Sequence, residues 1–242
     1  MNTTLHQNAS LLTAPEGSIV YDPTEHTFTK NGVTYKDRSV TQVLKRVGRI
    51  DDRWYDDWCR DRGTFVHQAL QHYMEAGFGP GGLWLDQLDP AITGYVQAGI
   101  NFLGETGFEP WVVEQPFVDE DLGFCGVPDV FGTWREDTSW FREVIATLMR
   151  ALGLRNSWTL IDWKTGAPED WHDWQHAAYG LAAQRNPETF IQKPTIQMTI
   201  KLNSDGTWRH KFAFQKKSRA QAEGEFVAFL TTLNLQKGDY GL

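Results

Sequence analysis

Residues 157–164, SWTLIDWK, set an aspartate and a lysine two positions apart in a run otherwise built from apolar and β-branched residues. Successive side chains of a strand point to opposite faces, so Asp162 and Lys164 share one face and Trp163 turns to the other. Charged groups in such a strand carry a large burial cost unless they pair or are put to use. The segment therefore demands a sheet with a charged pair on it. Two segments of similar character precede it, WVVEQPFV after Pro110 and GFCGVPDVFGTW, and the three read as strands of one sheet. Between the second and third lies REDTSWFREVIATLMRALGLRN, where Phe141, Val144, Ile145, Leu148 and Leu152 fall at helical spacing. This predicts an inserted helix within residues 135–157.

The rest of the chain frames that sheet. Residues 1–15 read as a flexible arm, and YDPTEHTFTKNGVTY as two short strands around a turn containing Asn31-Gly32. Ser39 or Thr41 caps a short helix through VTQVLKRVG. A longer helix is expected from Asp52 to Ala76, closed by Gly77 and the glycine- and proline-rich run that follows. Small Gly63 is expected to let that helix approach its neighbour closely. Asp89-Pro90 opens a helix through Glu105, another runs from Asp170 to Arg185, and PTIQMTIKL and TWRHKFAF form a hairpin before a closing helix to Leu235. The expected fold is α/β (α+β): one domain over residues 16–242, with a mixed central sheet flanked by helices and a helical region at the N-terminal side.

Two cysteines, Cys59 and Cys125, are too few for a disulfide framework, a four-thiolate zinc site or an iron–sulfur cluster. No apolar run approaches the ~20 residues of a membrane helix, and the N-terminus lacks a secretory pattern, so a cytoplasmic protein is expected. The net charge of −8 argues against a nucleic-acid partner. Residues 193–219 depart from that average. Lys193, Lys201, Arg209, Lys211, Lys216, Lys217 and Arg219 stand there opposed only by Asp205. They form either a phosphate-facing stripe or a solvated face.

In the strand carrying Asp162 and Lys164, one reading is a buried ion pair. The other begins with GVPDV, which places Asp129 on the preceding strand, where it can converge on Asp162. Two convergent carboxylates repel, and a divalent cation relieves the conflict. His67, on the helix of GTFVHQALQHYMEAG, is either a satisfied histidine or a ligand. Glu114 is either a surface residue of an edge strand or an acidic neighbour of the site. Gln175 and Tyr179, four apart on one helix face, are readable as ordinary packing.

In order, SVTQVL, GTFVH, Pro128-Asp129, DWKTG at 162–166 and QHAAY resemble the RecB-like exonuclease branch of the PD-(D/E)XK nuclease superfamily. The opening strands and DWKT are especially similar to phage-encoded exonucleases and the mitochondrial genome maintenance exonuclease. The resemblance covers most of the chain.

It implies a restriction-endonuclease-like core and a deoxyribonuclease that uses one or two Mg²⁺ or Mn²⁺ ions to cut from DNA ends, in phage-type recombination, replication or repair. Asp129, Asp162, His67 and the Trp163 carbonyl would ligate metal, with Glu114 as a candidate addition. Lys164 would orient or deprotonate the attacking water, and Gln175 and Tyr179 would line the site against the scissile strand. The implied partner is DNA with a free or single-stranded end, and a strand-annealing or single-strand-binding protein is a candidate companion. A phage-encoded enzyme would act in the bacterial cytoplasm. Trp54, Tyr55, Trp58, Trp171 and Trp174 are candidates to stack unpaired bases, set against simple core packing. A structure-specific endonuclease and a non-catalytic DNA-binding module are the alternatives. Two departures stand out: the inserted helix replaces the family's short hairpin, and the four cluster-binding cysteines of related CRISPR-adaptation nucleases have no counterpart here.

Overall fold

The computed structural model describes residues 17–51, 53, 56–76, 85–154, 156–167, 169–190 and 192–238. The expected arm at 1–15, the helix closure beginning at Gly77, and Trp54 and Tyr55 lie outside the described residues. The chain runs β1 (Ile19–Asp22), β2 (Thr27–Lys30), β3 (Val33–Tyr35), α1 (Val40–Arg46), α2 (Asp57–Glu75), α3 (Pro90–Thr106), β4 (Phe108–Val113), β5 (Phe117–Asp119), β6 (Phe124–Gly126) and β7 (Val130–Trp134). A π-helical turn, Phe141–Ile145, leads into α4 (Ala146–Leu152), then β8 (Thr159–Lys164), α5 (His172–Arg185), β9 (Ile196–Leu202), β10 (Trp208–Phe212) and α6 (Arg219–Gly238).

The central sheet has the order β10-β9-β8-β7-β4, with β8 and β9 parallel and the other neighbours antiparallel. The fold is thus mixed α/β around a mixed sheet, as the sequence pattern leads one to expect. Alternation along β8 sorts its two faces. Ile161 and Trp163 pack with Val66 and Leu70 of α2, Val96 and Phe102 of α3, and Met198 and Ile200 of β9. Leu160 packs on the other side with Leu44 of α1, Ala177 and Ala178 of α5 and Phe226 of α6. No helix among the described residues is long and apolar enough to cross a membrane.

Local chemistry explains most element ends. Ser39, rather than Thr41, caps α1: its side chain accepts from the Gln42 N–H while the Gln42 side chain accepts from the Ser39 N–H. The Asn31-Gly32 turn forms with both residues at positive φ, 51° and 76°, and closes β2 onto β3 with Lys30 opposite Val33. The expectation of two N-terminal strands is one short, because Asp22 Oδ1 accepts the N–H groups of Thr24 and Glu25 and turns the chain a first time, between β1 and β2. Helix α2 begins at Asp57 rather than Asp52, since the Asp56 carboxylate accepts the Cys59 N–H at 2.6 Å and sets the cap there.

Three further expectations are corrected. WVVEQPFV and GFCGVPDVFGTW are not single strands. The first breaks at Glu114, whose φ of 46° bends the chain just before Pro116, and the second breaks around Pro128. Their inner parts, β5 and β6, leave the sheet and pair with each other. In the inserted helix, Phe141 and Ile145 are buried, but Leu152 is 62% exposed. The π-helical turn before α4 shifts the phase of the residues that follow, so the helical count no longer brings Leu152 to the core. Finally, a Cβ at Gly63 would meet Thr165 Oγ1 at 3.9 Å, an ordinary contact, so close approach does not require that glycine. Gly99 does play such a part, because its Cβ would stand 2.5 Å from Leu70 Cδ2, where α3 crosses α2.

Candidate metal centre

Three segments meet at one end of the central strands. Helix α2 brings His67, the bend after β4 brings Glu114, and the turn before β7 brings Asp129. The Glu114 N–H donates to the Asp129 carbonyl at 2.8 Å, which ties the two turns together despite the left-handed backbone of Glu114. A non-glycine residue held in that region is strained, and such strain concentrates at functional sites. His67 Nδ1 lies 3.4 Å from Asp129 Oδ1 and 3.5 Å from Glu114 Oε1. Its other nitrogen, Nε2, sits 3.0 Å from the Trp163 carbonyl. Asp129 Oδ2 accepts the Trp163 main-chain N–H at 2.6 Å.

One ligand atom from each of His67, Glu114 and Asp129 lies within 4.8 Å of the others, a spacing that can hold a metal ion. The electrostatics fit a cation. Burial alone would lower the His67 pKa, but Asp129 and Glu114 outweigh it and hold the imidazolium well above its usual range. Burial pushes the Glu114 carboxyl up to about 7 against the pull of His67. Asp129 is held below its usual value, because His67, Lys164 and the Trp163 N–H together overcome its burial. A proton on His67 thus supplies the positive charge between two carboxylates that a divalent ion would supply instead. One imidazole and two carboxylates form a donor set suited to divalent first-row metals and to Mg²⁺.

Asp162 and Lys164 stand beside this cluster. Lys164 Nζ is 2.6 Å from Asp162 Oδ2, and Asp162 Oδ1, fully buried, has no hydrogen-bond partner. Burial raises the Asp162 carboxyl to about 6, Lys164 pulling it down and Asp129 pushing it up. Asp129 precedes the Val130–Ile161 pair of the antiparallel β7–β8 ladder by one residue, which sets it opposite Asp162. The structure therefore brings His67, Glu114 and Asp129 into one ligand group, with the Trp163 carbonyl on His67, while Asp162 is engaged by Lys164. Glu114, ambiguous in the sequence, is an integral member. The signal that could have found it is Pro116, which marks the end of the strand.

Gln175 and Tyr179 do share a face of α5. Gln175 Nε2 donates to the Tyr179 hydroxyl at 3.4 Å, and that hydroxyl donates to the Val127 carbonyl at 3.2 Å, two residues before Asp129. The pair buttresses the Asp129 turn, and the buried Gln175 Oε1 has no partner. Sequence reasoning missed the next residue. His176 is buried with Nε2 3.0 Å from Thr199 Oγ1 on β9, and burial, then Lys164, push its pKa down to about 3, so it stays neutral. Its position one residue after Gln175, within the QHAAY run, was the available signal.

The seven basic residues of 193–219 do not act alike. Lys193 and Arg219 pair with Glu223, Lys216 with Asp170 and Lys217 with Glu225. Lys201, Arg209 and Lys211 lie on β9 and β10. Among the aromatic candidates, Trp171 lies 5.7 Å from Lys164 Nζ, while Trp58 is exposed and lines a groove with Phe65 away from the cluster. Trp174 is packing: it is buried, bonds Glu225 through Nε1 and stacks against Arg49 and Lys217. A scan against protein-family models returns no match to this chain, and a search among curated proteins returns none either.

Proposed function

We propose that this chain is a metal-dependent deoxyribonuclease of the RecB-like PD-(D/E)XK kind, on a restriction-endonuclease-like core, which hydrolyses phosphodiester bonds from DNA ends in phage-type recombination, replication or repair. The observation that carries the reading is the pairing of two features at one end of the central sheet: a His67–Glu114–Asp129 ligand group, and the Asp162–Lys164 ion pair one residue from the Trp163 main chain that the group holds. An ion pair alone has a structural explanation. Two carboxylates closed on an imidazolium beside it do not need that explanation and are suited to metal.

Mg²⁺ or Mn²⁺, when bound, would make a water nucleophilic near neutral pH and offset charge on the phosphate. Asp129 holds one oxygen on the Trp163 N–H and turns the other toward His67 and the ligand group. Lys164, oriented by Asp162, is placed to offset phosphate charge and to steer the attacking water. Gln175 and Tyr179 fix the turn that carries Asp129.

The test is digestion of end-labelled linear DNA beside covalently closed circular DNA, with Mg²⁺ and with EDTA. Degradation of the linear substrate alone, abolished by EDTA and by Asp129→Ala, is expected. Full activity in EDTA would overturn the reading, and cutting of closed circles would reassign the enzyme as an endonuclease.

A further inference from the structure

The charged face of β8 does not end at Lys164. Parallel pairing sets Lys201 of β9 beside Lys164, and antiparallel pairing sets Arg209 of β10 beside Lys201. Two residues back along β8, the same ladders align Asp162, Thr199 and Lys211. Residues paired across a ladder point to the same face. Thr199 reaches His176 of α5, which identifies that face. The alternate residues of these strands confirm the division: Ile200, Trp208 and Phe212 pack on the opposite side with the core around Phe102, and His210 packs there against Trp140.

Lys164, Lys201 and Arg209 therefore make one cross-strand row, with Lys211 flanking it. Neighbouring strands lie ~4.8 Å apart, so the row runs about 10 Å from the ion pair of β8 to the outer strand of the sheet. Lys164 is held by Asp162, but the three cations that extend and flank the row have, among the described residues, no carboxylate at ion-pair distance, unlike the other cations of the region. Among the described residues, no carboxylate lies within 4.0 Å of Lys201, Arg209 or Lys211, whereas Lys193, Lys216, Lys217 and Arg219 each hold one. In a chain of net charge −8, Lys201 and Arg209 in register with Lys164, with Lys211 two residues along on the same face and strands that fix their spacing, make a local positive track.

We propose that the row Lys164–Lys201–Arg209, with Lys211, carries the phosphodiester backbone of a nucleic-acid strand from the metal centre across β9 to the β10 edge. This rests on the nuclease reading above and specifies which surface holds the substrate. The contacts are to backbone phosphates, since a row of cations spaced by the strand interval across β8, β9 and β10 matches repeated backbone charge, and binding by this surface is sequence-independent. The four acid-paired cations contribute little, because their charge is already balanced within the protein.

The experiment is fluorescence anisotropy of a labelled oligodeoxythymidylate in Ca²⁺ buffer, titrated with salt. It compares the wild type, the triple variant Lys201→Ala/Arg209→Ala/Lys211→Ala, and the double variant Lys193→Ala/Lys216→Ala. Removing three phosphate contacts should make the log–log salt slope shallower by about 2, at ~0.7 per contact on a single strand. The double variant should keep the wild-type slope, and Lys201→Arg/Lys211→Arg should keep it too. Thermal melting checks that each variant is folded. A triple variant with the wild-type slope, or a double variant with the same loss, overturns the proposal. Absence of any binding by the wild type would instead bring down the nuclease reading itself, and the two failures are told apart by that first curve.

Discussion

The main-chain N–H of Trp163 donates to Asp129 Oδ2 at 2.6 Å, so a ligand-bearing turn and the strand carrying Lys164 are joined by a buried charge-assisted bond. Such bonds are roughly twice as strong as neutral ones. Asp129→Asn can keep an oxygen on this N–H, whereas Asp129→Ala leaves it unsatisfied. In metal-free protein, the alanine variant should be less stable than the asparagine variant by about 1–3 kcal/mol in urea denaturation. Equal midpoints would show that the bond contributes nothing to holding the turn.

The cluster should make metal-free stability fall as pH rises. The folded-state pKa values of Glu114 and Asp162 are raised to about 7 and about 6, from ordinary values of 4.5 and 3.8, so the folded state binds protons that the unfolded state has released. The stability tied to those protons is fully present below the ordinary values and is lost as pH climbs through the raised ones. His67, also raised, carries the same sign at higher pH, while Asp129, lowered, loses its contribution only under acid conditions. Melting temperature in EDTA should therefore drop between about pH 5 and about pH 8. Saturating Mn²⁺ should reverse the trend, because ligation demands deprotonated His67 and Glu114. A melting temperature that rises with pH in EDTA would contradict the assignment.

Lys164 is outside the ligand group, so chemistry and metal binding should separate there. Lys164→Ala should lower the cleavage rate by about 10²–10⁴-fold, the usual range for a group that positions or relays a proton. Calorimetric Mn²⁺ affinity should stay within a few-fold of wild type. His67→Ala should do the reverse in part, weakening Mn²⁺ at least as much as it weakens turnover at saturating metal. If both variants lost metal to the same degree, the division of roles would fail.

Two glycines make a stability pair independent of function. A Cβ on Gly132, in β7, would collide with the Glu109 carbonyl and stand 2.6 Å from the Phe108 ring, so Gly132→Ala should cost about 1–3 kcal/mol or more. Gly104, on the exposed face of α3, has nothing within 4 Å of the same position, and Gly104→Ala should stabilise by about 0.5–1 kcal/mol. Chemical denaturation of the two variants measures both signs.

What the sequence determined by itself is what acts over a few residues. The Ser39–Gln42 capping box, the Asn31-Gly32 turn, the start of α3 at Pro90 and the alternation that opposes Trp163 to Asp162 and Lys164 all follow from neighbouring side chains and backbone bonds. The inserted helix was readable for the same reason, up to the π-helical turn that its apolar spacing does not encode. Tertiary structure decided which distant groups meet. Glu114 joined His67 and Asp129 because a left-handed bend and a main-chain bond to the Asp129 carbonyl turned it inward, whereas its local pattern fitted a surface residue equally well. The basic stretch divided in the same way. One-dimensional charge counts seven cations alike, but the fold placed carboxylates from α6 and from the turn before α5 against four of them, and left Lys201 and Arg209 in register with Lys164, with Lys211 two residues along on the same face. Charge compensation depends on distances of a few ångströms between residues far apart in the chain, and only strand order and helix packing set those distances.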